Sequence, residues 1–307
     1  MIPKILVVGS SNTDMVIKTK QIPAPGETVL GGVFFMNAGG KGANQAVAAA
    51  RLGGNVIFIA KTGSDIFGRE ALNLFKKENI DTRFVFTDPK SPSGVALITV
   101  DDHGENCIVV APGANGTLDI DNIQQAKIAI QEADIILLQL EIPIQTVEHV
   151  AALAGEKKIR VILNPAPACM LPDSLLACIT VITPNEAEAE KLTGVRVSDP
   201  RSAATAAEKL CAKGVETVIV TLGDAGVLLY HQNKATHIPG YPVKAVDTTA
   251  AGDVFNGAFV VALSEKKDLA AACDFACKAA SLSVTRLGAL DSAPFREEVD
   301  SAYSIYY

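Results

Sequence analysis

The sequence of 307 residues lacks the features that mark several large classes of protein. It contains no apolar run of about 18 residues or more, so no segment predicts a transmembrane helix. The N-terminal stretch is too short for the apolar core of a secretion signal and instead predicts a buried strand. The net charge of −7 argues against nucleic acid or an anionic membrane as the main partner. We therefore expect a cytoplasmic protein that acts on small molecules.

Cysteine and histidine occur, but not at metal-binding spacings. Six cysteines are scattered along the chain, several in apolar surroundings, which is typical of reduced thiols in a cytosolic protein. Cys273 and Cys277 are one helical turn apart, yet no nearby cysteine or histidine completes a metal-binding set. The four histidines show no ligand spacing either. The sequence therefore does not support zinc chemistry.

Two phosphate-binding motifs are also missing. The first predicted strand, residues 4–9, is followed by residues 10–14 and not by the glycine-rich turn of a dinucleotide-binding fold, which argues against a nicotinamide-dependent dehydrogenase. Asn12 and Asp14 share one face if the chain stays extended, so they either bind a ligand or only end the strand through local hydrogen bonds. Residues 39–42 lack the Ser or Thr that a Walker loop places after Gly-Lys, but their glycines permit close approach of a ligand.

The pattern of strands and helices predicts an α/β protein with a second, small sheet. After residue 117, short apolar strands alternate with helices, which indicates a mostly parallel sheet covered on both faces. Two hairpin-like stretches, at about 12–37 and 92–111, predict a β-sheet that could form a lid over a cleft. We expect residues 1–307 to form one three-layer α/β/α domain with this β-lid attached. Ligands of such sheets bind at the carboxyl ends of the strands. The polar residues predicted at those ends are Asn12, Asp14, Glu141, Asn164, Asn185, Thr221 and Asp253.

The stretch 247–258 combines small residues with a carboxylate at the start of a predicted helix, 252–264. The first N–H groups of a helix are unpaired and lie at the positive end of its dipole. Ala250, Ala251 and Gly252 would let an anion, most often a phosphate, approach them closely. Asp253 is either a catalytic carboxylate beside this anion site or only the N-terminal cap of the helix. Local chemistry leaves both interpretations open.

Several motifs at a defined spacing resemble the ribokinase and phosphofructokinase-B family of sugar kinases over nearly the whole chain. The early motif covers residues 37–46 and the late motif residues 247–253, with similar segments at 139–141, 164–167, 183–188 and 221–226. The resemblance favours the catalytic interpretation of Asp253. It implies a ribokinase-like fold and an ATP-dependent kinase that phosphorylates the 5-hydroxyl of D-ribose. Asp253 would be the general base, and the N–H groups of Ala250, Ala251 and Gly252 would stabilise charge on the transferred phosphate.

The resemblance also implies the remaining ligand sets. A polyol requires many directional donors and acceptors, and the positions that align with ribose contacts are Asn12, Asp14, Gly40, Lys41, Asn44, Glu141 and Asp253. The positions that align with nucleotide contacts are Asn185, Glu188, Thr221, Gly223, Asp224, Gly226, Gly252 and Cys277. Asn185 and Glu188 resemble an Asn-x-x-Glu element that organises Mg²⁺. Cys277 departs from the family, whose better-known bacterial members have a histidine there.

The resemblance further implies a monovalent cation, K⁺, bound largely by backbone carbonyls, and a homodimer formed through the β-lid. The cation positions are Asp247, Thr249, Ser283, Arg286, Gly288 and Ser292. Two alternatives remain open. One is a kinase of another sugar or of a nucleoside within the same family. The other is a sugar- or nucleotide-binding regulator that kept the fold without the chemistry.

Overall fold

The computed structural model describes residues 3–302. The strands in this range are β1 (Lys4–Val8), β2 (Asn12–Lys18), β3 (Val33–Gly39), β4 (Asn55–Gly63), β5 (Asp81–Asp88), β6 (Gly94–Val100), β7 (Asn106–Ala111), β8 (Ile135–Leu138), β9 (Arg160–Leu163), β10 (Val181–Ile182), β11 (Thr217–Thr221), β12 (Val227–His231) and β13 (Lys234–Ile238). The helices are α1 (Lys41–Arg51), α2 (Ile66–Lys77), α3 (Ile120–Gln125), α4 (Lys127–Gln131), α5 (Ile144–Glu156), α6 (Asp173–Leu176), α7 (Glu186–Thr193), α8 (Pro200–Cys211), α9 (Ala251–Ser264), α10 (Leu269–Ser283) and α11 (Arg296–Ala302). Short 3₁₀ turns lie at Gly113–Thr117 and Gly223–Ala225.

The main sheet, as residues 3–302 define it, has nine strands in the order β13-β12-β11-β10-β9-β8-β1-β4-β5. All neighbours pair in parallel except β11 with β12 and β12 with β13. Apolar side chains on its two faces form two separate cores, one beneath α1, α9 and α10 and the other beneath α5 and α8. This three-layer arrangement confirms the predicted fold class. Within the same range, no helix is long and apolar enough to cross a membrane.

The second sheet has the strand order β3-β2-β6-β7. β2 pairs antiparallel with β3, β6 pairs antiparallel with β7, and the two hairpins join through the parallel pair β2 and β6. These are the hairpins that the alternation at 12–37 and 92–111 predicts, although residues 19–32 of the first range lie outside the strands. The chain passes directly from the end of β1 into this sheet through residues 9–11. The small sheet therefore begins at the carboxyl end of a strand of the main sheet, which is the edge where ligands of such sheets bind.

Three parts of the fold differ from the prediction. β5 was not predicted, because as a half-exposed edge strand it has neither strict alternation nor a continuous apolar run. The apolar spacing of residues 119–132 predicts a single helix, but the structure has two, separated at Ala126 where ψ is 4°. The alternation at 241–245 predicts a short extended segment, but these residues form no strand, and all of them except Lys244 line a cavity.

Helices α1 and α9 pack against each other with almost no side chain between them. At Gly257, a Cβ atom would lie 2.7 Å from Ala48 Cβ and 2.8 Å from Gln45 O, closer than real Cβ contacts allow. Similarly, a Cβ on Gly42 would lie 2.5 Å from the Ser10 nitrogen, so the start of α1 touches the end of β1. Gly42 therefore meets a packing requirement at the position where a Walker loop would carry Ser or Thr. These two close contacts bring Asn44 and Gln45 of α1 within hydrogen-bonding distance of Asp253.

Candidate active site

Asp253 is buried at the start of α9, at the carboxyl end of the main sheet. Asn44 Nδ2 donates to its Oδ2 at 2.9 Å, and Gln45 Nε2 donates to its Oδ1 at 2.8 Å. Burial raises the pKa of the Asp253 carboxyl, while the charge of Lys41 and the two amide donors act in the opposite direction. The carboxylate thus points into the protein towards α1, and it does not cap its own helix. The capping interpretation of Asp253 is therefore wrong.

The first turn of α9 has no side-chain cap. Ala250, which precedes it, has a left-handed backbone with φ of 60°, a conformation that costs a non-glycine residue about 1 kcal/mol or more. The Ala251 N–H reaches Thr248 O at 3.3 Å, while among residues 3–302 no backbone acceptor pairs with the Gly252 N–H. The turn therefore presents the positive end of a helix of 14 residues to whatever lies before it.

The residues aligned with ribose contacts surround Asp253. Glu141 Oε2 accepts hydrogen bonds from the Ser10 hydroxyl at 2.5 Å and from the Lys41 backbone N–H at 3.0 Å. Asp14 lies against the backbone of Gly39, where a Cβ would come within 2.2 Å of its carboxylate. Within the described range, the buried Oδ1 of Asn44 has no hydrogen-bond partner. An unpaired buried acceptor of this kind suits a ligand that brings hydroxyl donors.

The charges around this pocket are unbalanced. Burial acts to lower the pKa of Lys41, but the carboxylates of Asp253, Glu141, Glu188 and Asp14 together outweigh it, so that the pKa is raised. Burial, together with the negative charges of Glu141 and Asp253, raises the pKa of Asp14 to about 6. Burial likewise raises the pKa of Glu188. A single lysine therefore faces four carboxylates in a partly desolvated cleft.

Side chains outside the predicted set hold these residues in place. Asn115 Nδ2 donates to Asn12 Oδ1 at 2.7 Å and to Ser11 O at 3.1 Å, while its Oδ1 accepts from the Ser11 N–H at 2.8 Å. A second network joins Gln139, Gln45 and Asn164 to Asp253. Their places in the sequence could have drawn attention to Gln45, which lies in the early motif, and to Gln139, which lies in the similar segment 139–141. Asn115 lies in a 3₁₀ turn, and no sequence signal marks it.

A cavity of about 490 Å³ adjoins the start of α9. Its lining includes six of the eight positions aligned with nucleotide contacts, namely Thr221, Gly223, Asp224, Gly226, Gly252 and Cys277. Burial raises the pKa of the Cys277 thiol to about 12, so the thiol is protonated at neutral pH. Asn185 and Glu188 do not line this cavity. They form a reciprocal capping box at the start of α7, where each side chain accepts the other residue's backbone N–H.

The residues aligned with the monovalent cation lie on two segments, one directly before α9 and one that runs from the last residue of α10 to Ser292. Asp247 accepts the Thr249 N–H at 2.9 Å through Oδ1 and the Gly288 N–H at 3.0 Å through Oδ2. The side chains of Ser283 and Ser292 donate to the nearby carbonyls of Ala280 and Ala289. The Arg286 side chain pairs with Glu298 at 2.5 Å. Asp247 thus connects the segment before α9 to the segment after α10, and it does so directly before the turn at Ala250.

Residues 2–296 match the pfkB family of carbohydrate kinases. The chain belongs to this family. Among its relatives is a ribokinase of Haemophilus influenzae, 48% identical over 96% of both chains. A deoxyribokinase of Salmonella typhi is 38% identical over 98% of this chain and 99% of its own.

Solved structures support the same family. A ribokinase of Arabidopsis thaliana, solved in complex with ribose and ATP, superimposes with a TM-score of 0.90 at 33% identity over 97% of this chain and 98% of its own. The family predicted from the motifs is therefore confirmed.

Proposed function

We propose that the protein is an ATP-dependent ribokinase that transfers the γ-phosphoryl group of ATP to the 5-hydroxyl of D-ribose. Ribokinases at 48% and 41% identity over nearly the full chain support the activity, as does the similarity to a ribokinase that holds ribose and ATP. The observation that carries the mechanism is the Asp253 carboxylate, fixed by two amides beside the uncapped start of α9. Gly252, the residue before Asp253, lines the cavity.

In the proposed reaction, Asp253 accepts the proton of the sugar hydroxyl while the hydroxyl oxygen bonds to the γ-phosphorus. The bond between that phosphorus and the bridging oxygen of ADP breaks, and ADP leaves with the electron pair. The N–H groups at Ala250, Ala251 and Gly252, with the helix dipole behind them, would stabilise charge on the transferred group. A positioned base of this kind contributes roughly 10²–10⁴-fold.

The sugar would bind through complementary donors and acceptors. Asn44 Oδ1 is a free acceptor, the carboxylates of Asp14 and Glu141 are further acceptors, and Lys41 is a donor. The backbone of Gly40 and the amide of Asn12 complete the proposed set. Such a site rejects a sugar that lacks one hydroxyl because its own buried polar groups then stay unpaired.

The nucleotide would occupy the cavity, with its phosphates towards Gly252. The acidic surplus at Asp14, Glu141, Glu188 and Asp253 fits an incoming cation, and Mg²⁺ typically binds through a carboxylate together with substrate phosphates. Asn185 and Glu188 are the residues that would hold it, and it would neutralise charge on the phosphates. K⁺ would bind at backbone carbonyls of the two segments that Asp247 connects, at the positions Asp247, Thr249, Ser283, Arg286, Gly288 and Ser292. There it would fix the turn that ends at Ala250.

Two further properties belong to the proposal. The small sheet exposes large apolar side chains, including Val33 and Val109 at 65% and 64% exposure. Exposed apolar surface of this kind marks a protein–protein contact, so we expect a homodimer formed through the β-lid. We expect the enzyme to act in the cytoplasm.

A second candidate substrate is 2-deoxy-D-ribose, because a deoxyribokinase is among the relatives at 38% identity. The deciding experiment measures ADP release by purified protein with Mg-ATP and K⁺, offered D-ribose, 2-deoxy-D-ribose, D-fructose or adenosine separately. We expect release with D-ribose at the highest kcat/KM. Release with another acceptor would move the substrate assignment and keep the mechanism. Absence of sugar-dependent release would support a binding regulator.

A further inference from the structure

One buried side chain holds Asp253 from the side away from the cleft. Gln45 is fully buried, and each of its polar atoms is bonded within the protein. Asn44, its neighbour, holds the other carboxylate oxygen but keeps its own Oδ1 unpaired within residues 3–302. Asn44 is therefore available to a ligand and Gln45 is not. Any effect of Gln45 on the reaction must pass through Asp253.

The amide of Gln45 has a fixed orientation. Gln139 Nε2 donates to Gln45 Oε1 at 2.5 Å, which identifies that oxygen as an acceptor. Gln45 Nε2 donates at 3.0 Å to Asn164 Oδ1, and Asn164 is itself oriented by a bond from its Nδ2 to Thr183 O at 3.2 Å. Turning the Gln45 amide over would set oxygen against oxygen at both Asn164 and Asp253. The NH₂ group therefore always faces the carboxylate.

We infer that Gln45 is a positioning residue of phosphoryl transfer, which directs the Asp253 carboxylate towards the sugar hydroxyl and keeps it ionised. The inference rests on the proposed function, in which Asp253 accepts that hydroxyl's proton. With Oδ1 tied to Gln45, the carboxylate cannot rotate freely, and Oδ2 remains on the side of Asn44 and the sugar residues.

The electrostatics of the site show why such a donor matters. Burial raises the pKa of Asp253, which favours the neutral carboxyl, a poor base. The charged groups that face Asp253 are Lys41 from α1, Asp14 from β2, Glu141 after β8 and Glu188 from α7. Only Lys41 among them favours the carboxylate. The Gln45 amide acts with Lys41, and because it does not titrate, it does so at every pH.

Two variants separate this role from simple packing. Gln45→Met keeps a flexible side chain of similar length but removes the donor. Gln45→Glu keeps the shape and places a second carboxylate beside Asp253, which raises the pKa of Asp253 further. If Gln45 only fills space, Gln45→Glu should shift the acid limb of the pH profile less than Gln45→Met does. If Gln45 positions the carboxylate, Gln45→Glu should shift that limb more than Gln45→Met does.

The experiment is the pH dependence of kcat/KM for D-ribose at saturating Mg-ATP, measured first for the unaltered enzyme. Absence of sugar-dependent ADP release from the unaltered enzyme would overturn the proposed function and the inference with it, whereas normal release there with unchanged Gln45 variants would overturn the inference alone. For Gln45→Met we expect the acid limb to move up by about one pH unit, the effect of losing one hydrogen bond to a charged group. We expect kcat at neutral pH to fall roughly tenfold, with KM for D-ribose changed by less than about threefold because Gln45 does not reach the cleft.

Thr146→Val is the control for a general loss of stability. Thr146 is buried in α5, and its Oγ1 donates at 2.7 Å to Leu118 O, outside the hydrogen-bond network of Asp253. It should lower Tm and leave the acid limb in place. Asp14 titrates in this range in every variant, so the comparison is always with the unaltered enzyme. The inference would be overturned if the acid limbs of Gln45→Met and Gln45→Glu superimposed on that of the unaltered enzyme. If Gln45→Met does not fold, the acid limb of Gln45→Glu alone decides the question.

Discussion

The side chain of Asn115 donates a hydrogen bond of 2.7 Å to Oδ1 of Asn12, and so fixes which end of the Asn12 amide faces the cleft. Asn115 also bonds both backbone groups of Ser11, at the point where the chain leaves β1 for the small sheet. A Cβ on Gly94, the first residue of β6, would lie 2.2 Å from Asn115 Nδ2. The buried Asn115 amide therefore contacts the first residues of both β2 and β6, and through β2 it holds Asn12, a proposed sugar contact.

We predict that Asn115→Ala raises KM for D-ribose about fivefold while kcat changes by less than about threefold, since one net hydrogen bond is worth about 1 kcal/mol. Steady-state kinetics with varied D-ribose measure both constants. Thr117→Val is the control, because Thr117 in the same turn donates to Asp88 and not to a sugar residue. Equal KM values in the two variants would contradict the prediction.

Replacement of the proposed base gives the sharpest test of mechanism. Asp253→Asn should lower turnover roughly 10²–10⁴-fold, since no group then accepts the hydroxyl proton. Binding of D-ribose, followed by calorimetry without turnover, should persist. Asp199→Asn makes the same chemical change at the cap of α8 and should leave turnover unaltered. A loss of less than tenfold in Asp253→Asn would mean that Asp253 is not the base.

Asp14 should make the unliganded protein less stable as the pH rises. Its pKa is raised from 3.8 to about 6 in the folded state, so the folded protein retains a proton that the unfolded chain releases. Its contribution to the free energy of unfolding therefore falls as the pH rises from about 4 to 6 and stays low above that. The full shift corresponds to about 3 kcal/mol, and the effect is smaller because solvent reaches this half-buried side chain.

Thermal unfolding of Asp14→Asn and of the unaltered protein, between pH 4 and pH 8, measures this contribution. The difference in Tm should move in favour of Asp14→Asn as the pH rises. Other carboxyls, such as Asp65 and Asp247, have lowered pKa values and give the opposite slope, so only the difference between the two proteins is informative. A difference that is constant with pH would contradict the prediction.

The loops around Asp247 lead to a prediction about monovalent cations. K⁺ should raise turnover over Na⁺ at equal ionic strength by roughly fivefold or more, within the usual range for coupling between two sites. Asp247→Ala removes the acceptor of the Thr249 and Gly288 N–H groups and should abolish the difference between the two cations. Choline chloride serves as the reference salt. Equal rates in all three salts with the unaltered enzyme would remove the proposed K⁺ site.

The sequence predicted most of the fold, and its motifs selected candidate site residues that the structure brings together, for different physical reasons. Strands such as β1 and β8 are buried on both faces and are apolar throughout, so their character is visible without context. The edge strand β5 depends on its neighbour β4, and the break at Ala126 depends on backbone angles that the apolar period does not report. Local sequence patterns thus identified the strands that are buried on both faces, and missed features that depend on a neighbouring strand or on backbone angles.

Among the functional residues, the motifs brought Asn44 and Asp253 to attention, and the structure places them 2.9 Å apart. Whether Asp253 caps its helix could not be decided from the sequence, because an aspartate in the first helical turn suits both roles. The contact of Asn115 with Asn12 spans 103 positions of sequence and depends on how two sheets meet. No local pattern contains that information.

The absence of a side chain at Gly257 has a consequence for motion in the enzyme. The helix that carries Asn44 and Gln45 and the helix that carries Asp253 touch backbone to backbone there, about as closely as two helices can approach. The proposed base lies in the first turn of the same helix as Ala251 and Gly252, the proposed phosphate-binding residues, while Asn12 and Asp14 belong to the small sheet. We therefore expect the spacing between the proposed base and this turn to be the same in the unliganded and the sugar-bound enzyme.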